Sequence, residues 1–417
     1  MVFLYVCGMR IGSDFSGVGA FDQALMRLGI EYQTIFACDM DKYARQTYIE
    51  NYGEPAYYPE NVYDREIPQN PLDIYMTSPP CQSFSLAGKR GGESDKRGVL
   101  FYNSHEFIVK NSPRFFIFEN VKGLLSDANG RTFQIWCDML GGKSVNGNPV
   151  LFPREDATPY HIYHKVLNAK HYGVPQNRER IFIIGIRDDQ DNNFSFPKPF
   201  HLEKRLKDVL ESEVNEKYYL SDKMINFFIE NTKNNKEKGN GFAFNPKKLD
   251  EYANAVTTRS GSRMDDNFIK VKSATKQGFE VAKEGDSINF SQPNSETRRG
   301  RVGKEVAQTL DTACNQGVFL NENQLIKFNS LKVDENVAGC ITNAMGRAGS
   351  SDEYMASIKR NAIITQKIRR LTPIECFRLM DFPDSFKMPC SDTQMYKQAG
   401  NSIVVNVLAE IIKKLKF

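Results

Sequence analysis

The stretch Ser78-Pro79-Pro80-Cys81-Gln82-Ser83-Phe84-Ser85 holds the residue best placed for covalent chemistry. Prolines fix their own φ and push the preceding residue out of helical space, so Cys81 belongs to a stiff, pre-shaped turn. The run before it, Leu72-Asp73-Ile74-Tyr75-Met76, reads as a short buried strand. A thiol on a rigid loop after a buried strand is where an α/β enzyme places a nucleophile; the alternative is a buried structural thiol in a turn. A second chemical group is Glu119, at the end of the apolar run Phe116-Ile117-Phe118. An apolar setting raises a carboxyl pKa and suits it to act as an acid or hydrogen-bond donor, against the plainer role of helix cap or salt-bridge partner. In Gln176-Asn177-Arg178-Glu179-Arg180, alternation on an extended segment predicts that Gln176, Arg178 and Arg180 point together. Two arginines there suit a carboxylate or phosphate, unless the run is simply solvated. Finally, Asp14-Phe15-Ser16-Gly17-Val18-Gly19-Ala20-Phe21 is a small-residue turn leading into a helix, where a backbone can approach a ligand closely. It lacks the third glycine of a dinucleotide fingerprint. Asp39, roughly 20 residues further on, is placed to hold a ribose hydroxyl.

These residues need a scaffold. The first ~190 residues alternate short apolar runs with helical patterns, the signature of a parallel sheet with helices on both faces. Strands are predicted at Ile11–Phe15, Tyr32–Cys38, Leu72–Met76, Phe115–Glu119 and Ile181–Ile186, and helices at Phe21–Leu28, Lys42–Asn51, Asn103–Lys110 and Thr132–Leu140. Composition shifts after Arg187, and residues 191–368 are rich in Asn, Lys, Gly and Ser. Within them Asn231–Asn240 reads as a polar loop. Three look-alike segments, at 253–258, 307–312 and 338–343, read as hairpin strands of a loop-rich second domain. Pattern returns with Thr372-Pro373-Ile374-Glu375, a capping box with proline at the first helical position. A last helix is expected from Ser402, capped by Asn401.

The chain has 417 residues, 40% hydrophobic and 25% charged, enough for two folded domains. Its eight cysteines contain no Cys-x-x-Cys and there are only five histidines, so neither a disulfide framework nor a metal site is expected. A net charge of +4 permits nucleic-acid binding without demanding it. Residues 1–8 are apolar but too short and uncharged for a signal peptide, and no window approaches a membrane span. A cytoplasmic, nucleoid-associated protein is expected.

In their order along the chain, Phe-x-Gly-x-Gly, Pro-Cys-Gln, Glu-Asn-Val, Gln-x-Arg-x-Arg, Arg370-Leu371-Thr372-Pro373-Ile374-Glu375 and Gly400-Asn401-Ser402 resemble the DNA (cytosine-5)-methyltransferase family of bacteria and phages. The resemblance implies a Rossmann-like S-adenosylmethionine-dependent methyltransferase fold, α/β with a mostly parallel sheet, plus a second, loop-rich target-recognition domain. It places the catalytic and cofactor-binding domain at 1–190 and 400–417, the target-recognition domain at 191–368 and a helical hinge at 369–399. It implies methyl transfer from S-adenosylmethionine to carbon 5 of cytosine in a specific duplex DNA sequence, with the base flipped out of the stack. Cys81 would add to carbon 6, Glu119 hold N3 protonated, Arg180 contact the base carbonyl, and Arg178 brace Glu119 or the base.

Carried over residue by residue, Phe15, Gly17, Val18 and Gly19 line the cofactor site. Asp39 is its ribose acid, Met40 packs on adenine, Asn61 and Val62 face the adenine edge, and Pro79, Leu100, Asn401 and Ser402 complete it. Asn61 stands where the family usually has an acid, and Ser13-Asp14-Phe15 replaces the commoner Asp-x-Phe order. On the DNA side, Gln82, Ser83, Ser85, Lys89 and Arg90 belong to a loop that closes on the duplex. Thr309-Leu310 fits the family's Thr-Leu pair best, with Val256-Thr257 and Ile341-Thr342 as rivals, and Arg298, Arg299 and Arg301 just upstream suit backbone or guanine contacts. The implied partners are duplex DNA and a cognate restriction endonuclease acting on the same site, with the enzyme a monomer. The tRNA-modifying branch of the family is the first alternative, but its Cys-Phe-Thr tripeptide is absent from the middle region. A catalytically silent DNA-binding relative is the second, and it should have lost Cys81, Glu119 or Arg180.

Overall fold

The computed structural model describes residues 8–79, 100–201, 203–212, 214–248, 250–258, 263–270, 287–289, 302–303, 316–318 and 368–417. Its main sheet has eight strands. They are β1 (Met9–Asp14), β2 (Tyr32–Cys38), β3 (Ile74–Thr77), β4 (Phe115–Val121), β5 (Ser144–Val145), β6 (Asn148–Pro149), β7 (Tyr160–Asn168) and β9 (Glu179–Arg187), in the order β2-β1-β3-β4-β9-β7-β5-β6. The first four strands are parallel, joined by crossover helices: α1 (Ala20–Arg27), α2 (Lys42–Tyr52) and α3 (Leu100–Asn111). The α4 helix (Arg131–Leu140) follows β4.

The second half of the sheet supplies the antiparallel part of this mostly parallel sheet. β9 runs antiparallel to both β4 and β7, and β7 itself carried no sequence prediction. β7 is half-exposed along its length, so it lacks the continuous apolar run of a fully buried parallel strand. The antiparallel placement matters for the site, because it sets Arg180 opposite Val121, diagonally across from Glu119 on the same face.

One face of the sheet is covered by α3 and α4. Phe101, Phe107 and Trp136 pack there on Tyr75, Phe116 and Phe118, with the Phe101 and Trp136 rings stacked 4.2 Å apart. The capping box at Thr372 forms as expected and opens α6 (Pro373–Leu379). The predicted cap at Asn401 does not form. Asn401 instead ends α7 (Asp392–Asn401), a helix absent from the sequence prediction, and the last helix, α8 (Val405–Ile412), starts after Val404. A salt bridge from Lys397 to Asp41 (2.6 Å) and a Thr47–Gln398 hydrogen bond (2.9 Å) hold α7 beside α2.

Chain contacts divide the molecule into one unit of Met1–Glu211, Leu249–Asn267 and Leu371–Phe417, and another of Ser212–Lys248 and Phe268–Arg370. These limits differ from the boundaries expected at 190 and 369. The segment around Ala253–Asn254 (β10) pairs in parallel with β8 (Gln176–Asn177), so it is neither a hairpin strand nor part of the second unit. The look-alike segments at 307–312 and 338–343 lie outside the described residues. In the second unit, Ile368–Arg370 pairs antiparallel with Phe268–Lys270, and Ser287–Asn289, Val302–Gly303 and Gln316–Val318 form a small antiparallel sheet. The polar run expected as a loop at Asn231–Asn240 is mostly helix: α5 spans Asp222–Glu237. Ser221 caps it, and Phe228 anchors it against Phe244 and Phe268. A nucleus formed upstream thus extends through residues of poor intrinsic propensity. Among the described residues no helix is long and apolar enough to cross a membrane.

One buried acid makes stability depend on pH. Asp22, in the first turn of α1, accepts hydrogen bonds from Tyr48 (2.8 Å) and Thr34 (3.3 Å), and burial pushes its pKa up to about 6. The folded state therefore binds a proton between about pH 4 and 6 that the unfolded state releases, so stability rises as pH falls through that window. Asp22→Asn keeps an acceptor for Tyr48 and removes the buried charge. It is expected to stabilise the fold at pH 7 by about 1–3 kcal/mol, a gain lost below pH ~4; thermal melts across that range check this.

Candidate active site

The cofactor side of the site is built from the ends of β1 and β2. After Asp14 the chain turns sharply: Phe15 has φ 57°, Gly17 55° and Gly19 81°. A Cβ on Gly17 would meet nothing within 4 Å, so the turn presents open backbone, whereas one on Gly19 would strike the Tyr52 ring at 2.2 Å. The turn is fixed by Asp39. One carboxylate oxygen accepts from Gly17 N and the other from Asp41 N, each at 2.8 Å. Burial pushes the Asp39 pKa up while those amides pull it down. Each oxygen keeps a free lone-pair direction, so the carboxylate can still accept from a ligand hydroxyl. Beside it Met40 is 83% exposed, an unusual state for methionine and a ready apolar platform.

Asn61 is exposed and its Oδ1 already accepts from Tyr63 N at 3.1 Å, leaving its amide hydrogens to offer. Where an acid would accept from the adenine amino group, Asn61 instead suits a ring nitrogen. Val62 and Ser402 are buried, Val18 and Pro79 line the interior, and Leu100 opens α3. This set fits S-adenosylmethionine: an anchored acid for the ribose, an exposed apolar side chain for the base, and a glycine whose missing side chain leaves room. Asp39→Ala is expected to weaken cofactor binding at least ~10-fold, since it removes both a charged acceptor and the fastening of the turn; calorimetric titration with S-adenosylhomocysteine measures this.

The candidate catalytic carboxylate, Glu119, is 7% exposed. Arg180 Nε lies 3.0 Å from its Oε1. Burial pushes the Glu119 pKa up, against the opposing pull of Arg180 and Arg178, as its apolar strand predicted. Asn120, next in the strand, points to the other face and donates to the Pro79 carbonyl at 3.4 Å, tying β4 to the turn that leads to Cys81. Sequence reasoning quoted Asn120 within its motif and gave it no role.

Gln176, Arg178 and Arg180 do not converge. β8 ends at Asn177 and β9 begins at Glu179, which breaks the alternation at Arg178. Gln176 bonds the Leu379 carbonyl (2.6 Å) and Val256 N (3.0 Å). Arg178 donates to the carbonyls of Val256 (3.0 Å), Gly400 (3.0 Å) and Ser402 (2.8 Å), clamping the β10 segment and the end of α7. Only Arg180 of the three forms an ion pair with Glu119. Asp14, whose position departs from the usual motif, is buried against Arg65 and Tyr75. Cys81, Gln82, Ser83, Ser85, Lys89, Arg90, Arg298, Arg299, Arg301, Thr309 and Leu310 lie outside the described residues. Among the described residues no cluster of His, Cys, Asp and Glu could hold a metal.

A parallel sheet edge carrying an anchored acid and a glycine turn, beside a buried Glu–Arg pair, defines an α/β methyltransferase-type site. A sequence profile for C-5 cytosine-specific DNA methylases matches residues 9–417, and the chain belongs to that family. The orphan methyltransferase M.SPRI of Bacillus phage SPR is 30% identical, covering 98% of this chain and 97% of its own. The type II methyltransferase M.HhaI of Haemophilus parahaemolyticus is also 30% identical, over 97% of this chain and 93% of its own. Among solved structures, S. pombe Dnmt2 superposes with a TM-score of 0.56 at 16% identity, over 97% of each chain. The Entamoeba histolytica methyltransferase EhMeth gives 0.58 at 16% identity, over 98% of this chain and 97% of its own. These two establish the shared fold. The protein is a DNA (cytosine-5)-methyltransferase that uses S-adenosylmethionine.

Proposed function

We propose that Cys81 is the nucleophile, that its substrate is a cytosine flipped out of duplex DNA, and that the middle of the chain selects the sequence. Carbon 5 of cytosine is a poor nucleophile. Addition of the Cys81 thiolate to carbon 6 breaks the 5,6 double bond and turns carbon 5 into a nucleophilic enamine carbon. Glu119 supplies a proton to N3, drawing electrons as the C–S bond forms, and Arg180 neutralises the carboxylate left behind and reaches the base carbonyl. When bound, S-adenosylmethionine would supply an electrophilic methyl group to carbon 5, its methyl–sulfur bond breaking to leave S-adenosylhomocysteine. Loss of the carbon 5 proton to a base and return of the N3 proton to Glu119 then restore the double bond and expel the thiolate.

The observation that carries this reading is the buried Glu119–Arg180 pair, which Asn120 ties to Pro79, two residues before Cys81. Two other thiols are poor rivals: burial pushes Cys38 and Cys137 up to about 12. The target base lies inside the duplex stack, so the reaction requires extrusion, and the loop 82–90 with Lys89 and Arg90 provides donors for the backbone. Residues 191–368, including Arg298, Arg299, Arg301, Thr309 and Leu310, carry the sequence-reading contacts in this reading, with 369–399 as the hinge. In this proposal the enzyme is a monomer, with a restriction endonuclease cutting the same site as the partner to be tested.

Bisulfite sequencing of DNA from cells expressing the protein tests the function. The expected result is protection of one cytosine within one short sequence context. Complete conversion of every cytosine would overturn it. Cleavage of the protected DNA by a panel of endonucleases shows whether the methylated site is one a restriction enzyme reads.

A further inference from the structure

A buried chain of polar side chains joins the cofactor turn to both ends of the segment that carries Cys81. It begins at Asp14, the last residue of β1, immediately before Phe15. β1 and β3 pair with Gly12 opposite Tyr75 and Asp14 opposite Thr77, so Asp14, Tyr75 and Thr77 share one face. The Tyr75 hydroxyl donates to Asp14 Oδ2 at 2.6 Å, and Arg65 Nε sits 2.8 Å from Oδ1. The Tyr75 hydroxyl also meets Ser104 of α3, and Ser104 Oγ lies 2.8 Å from Thr77 Oγ1. The ring of Phe107 fixes the geometry: Tyr75 stacks on it at 4.2 Å and the Arg65 guanidinium lies 4.5 Å from its centre.

The ends of this chain are what give it a function. Thr77 is the last residue of β3, four residues before Cys81 in the sequence, and Ser104 is one turn into the helix that Leu100 opens after residues 80–99. Asp14, Tyr75 and Ser104 thus fasten three separate pieces of backbone: the turn that receives the cofactor, the strand that leads to the nucleophile, and the helix to which that segment returns. An ion pair is an expensive way to fill a core, because two charges must be desolvated. Apolar residues would serve packing alone at least as well.

We propose that Asp14, Arg65 and Tyr75 are positioning residues for methyl transfer, holding the cofactor turn and the Cys81 segment in mutual register. The proposal rests on Cys81 being the nucleophile. A displacement of the order of 1 Å between reacting groups can cost ~100-fold in rate without a comparable change in binding, which separates this role from plain packing.

The test uses the full chain, S-adenosylmethionine and duplex DNA with 5-fluorocytosine at the methylated position. Fluorine cannot leave as a proton, so the enzyme stays joined to the base and the rate of adduct formation is read on a denaturing gel. Peptide mapping of the wild-type adduct comes first: attachment anywhere but Cys81, or no adduct, removes the nucleophile reading itself. With that adduct in hand, Tyr75→Phe and the double variant Asp14→Leu with Arg65→Met are compared with wild type. The double variant removes both charges together and so avoids stranding one in the core. Both are expected to form the adduct at least ~10-fold more slowly, while S-adenosylhomocysteine affinity stays within about threefold. A folded variant with a wild-type rate of adduct formation overturns the proposal. So does a loss of cofactor affinity equal to the loss of rate, or failure of both variants to fold, since each reduces the network to packing.

Discussion

Cys81→Ser is expected to abolish methyl transfer, by at least ~10³-fold, while leaving cofactor binding intact. The asymmetry follows from the chemistry. A serine hydroxyl has nearly the size and polarity of the thiol but is not ionised at neutral pH, so it is a far weaker nucleophile. The cofactor groups are carried by other elements: the turn at 15–19 after β1, and Asp39 after β2, which fastens that turn through Gly17 N. None of them depends on the sulfur. Transfer of labelled methyl from S-adenosylmethionine to duplex DNA measures the first effect, and calorimetric titration with S-adenosylhomocysteine the second. Retained turnover in the variant would exclude Cys81 as the nucleophile. Loss of cofactor binding would instead mean that the substitution had disturbed the turn.

The parallel half of the sheet was readable from sequence because β3 and β4 are largely apolar runs and β2 ends in one. β2 falls where predicted, at Tyr32–Cys38, and β4 extends the predicted Phe115–Glu119 by two residues. The antiparallel half was harder to read. β7 alternates buried and half-exposed residues, and the course of β9 depends on pairing across the sheet rather than on local pattern. The site divides in the same way. Glu119 and Asp39 were legible because each directly follows an apolar run, where a carboxylate needs a reason to be. The separate fates of Arg178 and Arg180 were not, because a break between two strands decides them. Nor was Arg65, whose partner is 51 positions away: nothing in Asp64-Arg65-Glu66 distinguishes it from a solvated charge run, yet its side chain is 2% exposed. Long-range pairing of this kind leaves no local trace. The one hint was the displaced acid at Asp14, where Ser13-Asp14-Phe15 replaces the commoner Asp-x-Phe order.

Glu119→Gln is expected to lower the methyl-transfer rate at least ~100-fold, the usual scale for losing a positioned acid. Glutamine preserves the shape and can donate a hydrogen bond to N3, but it has no proton to give as the thiolate adds. It also leaves the Arg180 guanidinium in a buried site without its counter-charge, so part of the loss is expected to appear as weaker binding of the flipped base. The pH dependence separates the two contributions. Burial raises the Glu119 pKa above its ordinary value, so the protonated acid persists to higher pH than a free glutamic acid would allow. Because the reaction uses that protonated form, the wild-type rate should decline as pH rises through the raised pKa. This limb runs opposite to ionisation of the Cys81 thiol, which favours high pH, and the product of the two is a bell. In Glu119→Gln the declining limb should vanish, leaving a rate that only rises with pH. Single-turnover transfer measured from pH 5 to 9 with saturating DNA and cofactor reads this directly. A variant that keeps the declining limb would assign the acid to another group, and a near-normal rate would remove Glu119 from the chemistry altogether.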